Sequence, residues 1–90
     1  MNCLIVDDQK VFRAVLKKMI NLDPSLTLIG EYSDATEAHS EILNHQIDLL
    51  FLDIEMPGIS GLELAKILEG KRPMIIFTPP GLNTPLKRLI

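Results

Sequence analysis

Ninety residues, 47% of them hydrophobic and 23% charged, fit one globular domain and exclude a disordered chain. A net charge of −3 without a basic stripe argues against direct nucleic-acid binding, because little counterion release would be gained. The single cysteine excludes an internal disulfide, and no apolar run reaches the roughly 18 residues that cross a bilayer. With no basic region ahead of the first apolar run, the expected location is cytoplasmic, away from any membrane.

Strand and helix patterns alternate along the chain. Asn2 to Val6 is a short apolar run ending in Asp7-Asp8, and Val11, Phe12, Val15, Leu16, Met19 and Ile20 then repeat at helical spacing up to Asp23-Pro24. Leu26 to Tyr32 alternates as a second strand. Asp34-Ala35-Thr36-Glu37 has capping-box spacing and opens a helix with Ala38, Ile42 and Leu43 on its inner face, fading around Asn44-His45. Ile47 to Asp53 is the third strand, and the unbroken apolar run from Leu49 to Leu52 within it suits a parallel strand covered on both faces. Pro57-Gly58 turns the chain, Ser60 and Glu63 form another capping box, and a helix from Gly61 to about Glu69 closes at Gly70. Met74 to Thr78 is the fourth strand. Pro79-Pro80-Gly81 ends it, and Leu82, Leu86, Leu89 and Ile90 can share one helical face.

A βαβαβαβ order predicts a parallel α/β sheet with right-handed crossovers and helices on both faces. Parallel strands end at one edge, so Asp7 and Asp8, Asp53, and Thr78 should converge there, where open α/β sheets bind ligands. Three neighbouring carboxylates repel one another, and a cation relieves that repulsion. An all-oxygen set without His or Cys favours a hard ion such as Mg²⁺.

Val6-Asp7-Asp8, then Leu52-Asp53-Ile54-Glu55-Met56-Pro57-Gly58 with Gly61 following, then Ile76-Phe77-Thr78 resemble the motifs of the receiver domain of bacterial two-component response regulators. The resemblance runs from Met1 through Thr78. It implies a flavodoxin-like (CheY-like), doubly wound domain in which Asp53 takes a phosphoryl group from a phosphohistidine of a sensor histidine kinase. It further implies that Asp8, Asp53 and the backbone carbonyl of Glu55 hold Mg²⁺ directly, that Asp7 acts through a bound water, and that Thr78 is the hydroxyl switch contacting the phosphoryl group. The apolar run into Asp53 looks most like receivers that precede a LytTR-type DNA-binding domain.

The family pattern continues past the fourth strand with a helix, a fifth strand ending in Lys-Pro and a fifth helix. The expectation is therefore a single receiver domain over residues 1–90, truncated after the fourth strand, with no residue matching that Lys; neither Lys87 nor Arg88 stands in its context. Pro79 offers no N–H where the family has a phosphoryl contact. Two readings stay open: a Mg²⁺-dependent phosphoacceptor that assists only its own phosphorylation and dephosphorylation, and a phosphorylation-independent interaction module. A dehalogenase-type phosphotransferase fits less well, since its Asp-x-Asp motif is not met by adjacent Asp7-Asp8. An uncovered fourth strand and an uncovered Val11/Val15/Met19 flank would favour a homodimer.

Overall fold

A computed structural model describes residues 1–44, 46–54, 61–67 and 73–78. Along the chain these form β1 (Asn2–Val6), α1 (Lys10–Asn21), β2 (Thr27–Tyr32), α2 (Ala35–Asn44), β3 (Leu49–Asp53), α3 (Gly61–Ile67) and β4 (Met74–Thr78). The four strands make one sheet in the order β2-β1-β3-β4, every pairing parallel. This is the parallel α/β sheet that the sequence pattern predicts, in the doubly wound, flavodoxin-like order that the receiver resemblance implies.

The central strands are buried on both faces, which is why β1 and β3 read as continuous apolar runs. Leu4, Val6, Leu50 and Leu52 face α2 and α3, where Ala35, Ala38, Ile42 and Leu64 meet them. Cys3, Ile5 and Leu49 face α1, whose Phe12, Leu16 and Ile20 recur every fourth residue and pack onto them. Burying each such large side chain is worth about 1.5–3 kcal/mol, so these two clusters carry most of the stability. The other apolar stripe of α1, Val11, Val15 and Met19, is exposed.

Local chemistry sets the helix boundaries. The Glu37 N–H donates to Oδ1 of Asp34 at 2.9 Å, which is the capping contact expected at the start of α2. Ala38 and Ile42 are buried as expected, but Leu43 lies on the outer side, 63% exposed, and Ala35 takes the inner position instead. β3 begins at Leu49, two residues after Ile47, where the side chain of Asp48 stands in for a backbone acceptor of the ladder. Its Oδ2 accepts the Asn2 N–H at 2.8 Å, and its own N–H donates to the Asn2 carbonyl at 2.8 Å. The capping pair of Ser60, the helix end at Glu69-Gly70, and Pro79 to Ile90 lie outside the described residues.

β2 departs from simple alternation. Cys3 pairs with Leu28 but Leu4 with Gly30, so Ile29 is an extra residue in the ladder. Leu28 therefore packs with the α1-side cluster and Tyr32 with the opposite one, although both are even-numbered. Gly30 leaves room for the Tyr32 ring: a Cβ there would lie 2.9 Å from the tyrosine hydroxyl oxygen. No helix among the described residues is long and apolar enough to cross a membrane.

Candidate functional site

Three strand ends build the site at the carboxyl edge of the sheet. Asp7 follows β1 and is fully buried; Asp53 is the last residue of β3 and also buried; Asp8 is partly exposed. One carboxylate oxygen from each lies within 4.8 Å of the others. Thr78, the last residue of β4, is the register partner of Asp53 and is buried beside it. The four described residues singled out from sequence are thus brought to one edge, while Glu55 lies outside the described residues.

The backbone fixes how Asp7 enters the cluster. Its N–H donates to the Tyr32 carbonyl at 3.0 Å, extending the β1–β2 ladder one residue past the strand. Its Oδ1 accepts the Gln9 N–H at 2.8 Å, a turn of the kind aspartate forms two residues on. Its carbonyl accepts from Nη1 of Arg13 at 2.7 Å, and Nε of Arg13 donates to Oε1 of Glu31 at 3.2 Å. Lys17 pairs with the second Glu31 oxygen.

Electrostatics separate Asp7 from an ordinary turn residue. Burial pushes its carboxyl above the usual value near 3.8, and the Asp8 charge adds to the rise, against the Gln9 amide, a hydrogen bond with Asp53 and the Arg13 charge. Oδ2 of Asp7 and Oγ1 of Thr78 are buried with no hydrogen-bond partner among the described residues. A buried carboxylate oxygen left so is costly unless something cationic or protic meets it. Carboxylates alone supply the charge, so the donor set suits a hard divalent cation; Mg²⁺ fits such a set with few protein ligands and retained water.

Sequence reasoning missed Arg13, Glu31 and the Gln9 amide. Arg13 carries a weak signal, a cation on the polar flank of α1 one helical turn after the acid pair. Its partner depends on the extra residue in β2, which no alternation pattern discloses.

Comparison with known proteins agrees with this arrangement. The response regulator receiver domain family matches residues 3–84. A protein-glutamate methylesterase/protein-glutamine glutaminase of Dechloromonas aromatica (strain RCB) is 40% identical across 96% of the chain, which spans 26% of that protein. The transcriptional regulatory protein BtsR of Salmonella typhi is 40% identical across 82% of the chain, which spans 31% of it. Among solved structures, the response regulator domain of Thermotoga maritima CheB superposes with a TM-score of 0.79 at 32% identity, covering 88% of this chain and 60% of that one. The chain thus spans about a quarter to a third of the curated relatives' length.

Proposed function

The chain belongs to the response regulator receiver domain family, a family of two-component signalling, and on that premise we propose that it accepts a phosphoryl group on Asp53 from a sensor histidine kinase in a Mg²⁺-dependent way. The observation that supports this is the meeting of Asp7, Asp8 and Asp53 within 4.8 Å beside Thr78. Asp8, Asp53 and the Glu55 carbonyl hold the cation, with Asp7 acting through water. Bound there, Mg²⁺ supplies neutralisation of the equatorial phosphoryl oxygens.

A carboxylate is a weak nucleophile, but a phosphohistidine asks little of it. An Asp53 oxygen forms the new P–O bond as the P–N bond breaks, and the electron pair returns to the imidazole nitrogen, which takes a proton from solvent. The protein's contribution is alignment: β3 holds Asp53 in place, and the register with β4 keeps the Thr78 hydroxyl alongside to donate to a phosphoryl oxygen. The product is an acyl phosphate on the chain itself. No external substrate is turned over, and the compartment is the cytoplasm.

A homodimer goes with this reading. β4 is the outer strand among the described residues and exposes Met74, Ile76 and Phe77, and Val11, Val15 and Met19 are exposed on α1. A second copy covers these surfaces by pairing β4 edges across a two-fold axis. Sedimentation equilibrium at micromolar concentration tests it: a stable monomer sinks the dimer, and a dimer that survives Phe77→Lys excludes edge pairing.

Incubation with acetyl phosphate and Mg²⁺, followed by intact mass, tests the main reading. A phosphorylated species that needs Mg²⁺ and is lost in Asp53→Asn is expected. A folded protein that never gains phosphate, or gains it equally without Asp53, overturns the proposal and favours the phosphorylation-independent interaction module.

A further inference from the structure

The acid loop is held by a cation that does not join the acid cluster. The Asp7 N–H, Oδ1 and carbonyl are each taken, by the Tyr32 carbonyl, the Gln9 N–H and the Arg13 guanidinium, while Oδ2 has no partner among the described residues. Arg13 thus directs its charge-assisted bond at the backbone of Asp7 and leaves the carboxylate for another partner.

Arg13 is itself fixed. Its side chain is 14% exposed, Nε is held by Glu31, and Lys17, one turn further along α1, holds the other Glu31 oxygen. Glu31 can face α1 only because Ile29 is extra in β2; with regular alternation from Leu28, Glu31 would face α2. A bulge that turns a charged side chain inward to grip an arginine is more than a helix-to-strand tie, for which packing of Phe12, Leu16 and Ile20 already suffices.

We propose that Arg13, clamped on Glu31, is a positioning residue of the cation site: it fixes the Asp7 carbonyl and so sets how the Asp7 and Asp8 carboxylates meet Asp53. The proposal rests on the Mg²⁺ reading above. Removing a group that orients metal ligands without touching the metal costs on the order of tenfold in metal affinity. Lysine at 13 keeps the charge but lacks the planar fork that reaches both acceptors.

NMR-monitored Mg²⁺ titrations of the full chain test this with Arg13→Gln, Arg13→Lys, Glu31→Ala, the Arg13→Gln/Glu31→Ala pair, and Ile20→Val at the far end of α1 as a stability control. Arg13→Gln should weaken Mg²⁺ about tenfold, Arg13→Lys and Glu31→Ala less, and the pair no more than Arg13→Gln alone, since Glu31 acts through Arg13. Ile20→Val should lower stability and leave Mg²⁺ affinity unchanged. In the metal-free protein the Asp8 and Gln9 amides should exchange faster in Arg13→Gln. Arg13→Lys carries the test if Arg13→Gln does not fold. A wild-type Mg²⁺ response that persists in the Arg13 variants, or falls equally in Ile20→Val, overturns this inference alone. No wild-type response that Asp53→Asn removes overturns the function reading, and this inference with it.

Discussion

Aspartates at opposite ends of the sheet behave as opposites. At the amino end, Asp23 binds both the N–H and the hydroxyl of Ser25 through Oδ1, and Asp48 takes the Asn2 N–H. At the carboxyl end, Asp7 and Asp53 are buried and crowd Asp8 within 4.8 Å. Two unit charges at that spacing repel by about 3 kcal/mol at an effective dielectric of 20, a large part of the stability of a small domain. The Ser25 hydroxyl and then its amide hold the Asp23 carboxyl below the usual range, whereas burial holds Asp7 above it. A local backbone donor does not separate turn chemistry from ligand chemistry, since the Asp7 Oδ1 also accepts the Gln9 N–H. The difference is that Asp7 buries its Oδ2 without a partner among the described residues beside two more carboxylates, while Asp23 is open to water.

The largest effect should come from exchanging one acid at each end. Asp53→Asn should abolish acyl-phosphate formation from acetyl phosphate altogether and weaken Mg²⁺ by tenfold or more, on the order expected for losing a charged ligand. Asp48→Asn, which keeps an acceptor for the Asn2 amide, should change neither. Intact mass and a Mg²⁺ titration read both, and equal losses in the two variants would erase the distinction between the ends.

Much of this contrast is legible in the sequence, and the part that is not has a physical reason. Strand-end acids follow from counting apolar runs, because parallel strands must end at one edge; Asp7, Asp8, Asp53 and Thr78 are found that way. The cap at Asp34 is local and equally readable. Leu43 is not, since which of two adjacent apolar residues faces inward depends on the rotation of α2 about its axis. The Arg13–Glu31 clamp is also invisible, because it spans 18 residues and hangs on one extra residue in β2. Glu55, although named from the motif, falls outside the described residues, so its carbonyl stays part of the proposal.

A smaller effect sharpens the contrast by removing charge from the crowded end. Asp7 has a raised pKa, so the native state holds its proton more tightly than the unfolded chain does. Stability of the metal-free protein therefore falls as pH rises from the usual value through the raised one, and the penalty persists above it. Asp7→Asn keeps the acceptor for the Gln9 amide and should stabilise the metal-free protein at neutral pH by about 1–3 kcal/mol, first by removing a buried charge and then by relieving its repulsion with Asp8. That gain should shrink in acid, and Mg²⁺ should stabilise the variant less than wild type. Urea denaturation with and without Mg²⁺ measures it; a destabilised, metal-free Asp7→Asn would mean the cluster is not under charge stress. Asp48→Ala goes the other way, costing about 1 kcal/mol by leaving the Asn2 N–H unpaired.

The smallest effect belongs to Asp23, and it has the opposite pH sign to Asp7. With its pKa lowered, its contribution is present above the usual value near 3.8 and is lost as pH falls through the lowered one. The group is fully exposed, so its hydrogen bonds to Ser25 compete with water and only a slight loss is expected for Asp23→Ala at neutral pH. That loss should close in acid, in step with the titration of Asp23 seen at the Ser25 amide proton, and Ser25→Ala should narrow it by removing the hydroxyl donor. Mg²⁺ should leave the Ser25 amide unmoved, because Asp23 sits at the end of the sheet away from the acid cluster. A Ser25 shift that follows Mg²⁺, or an Asp23→Ala loss that grows in acid, would mean that the two ends are coupled and that burial and crowding do not decide an aspartate's role here.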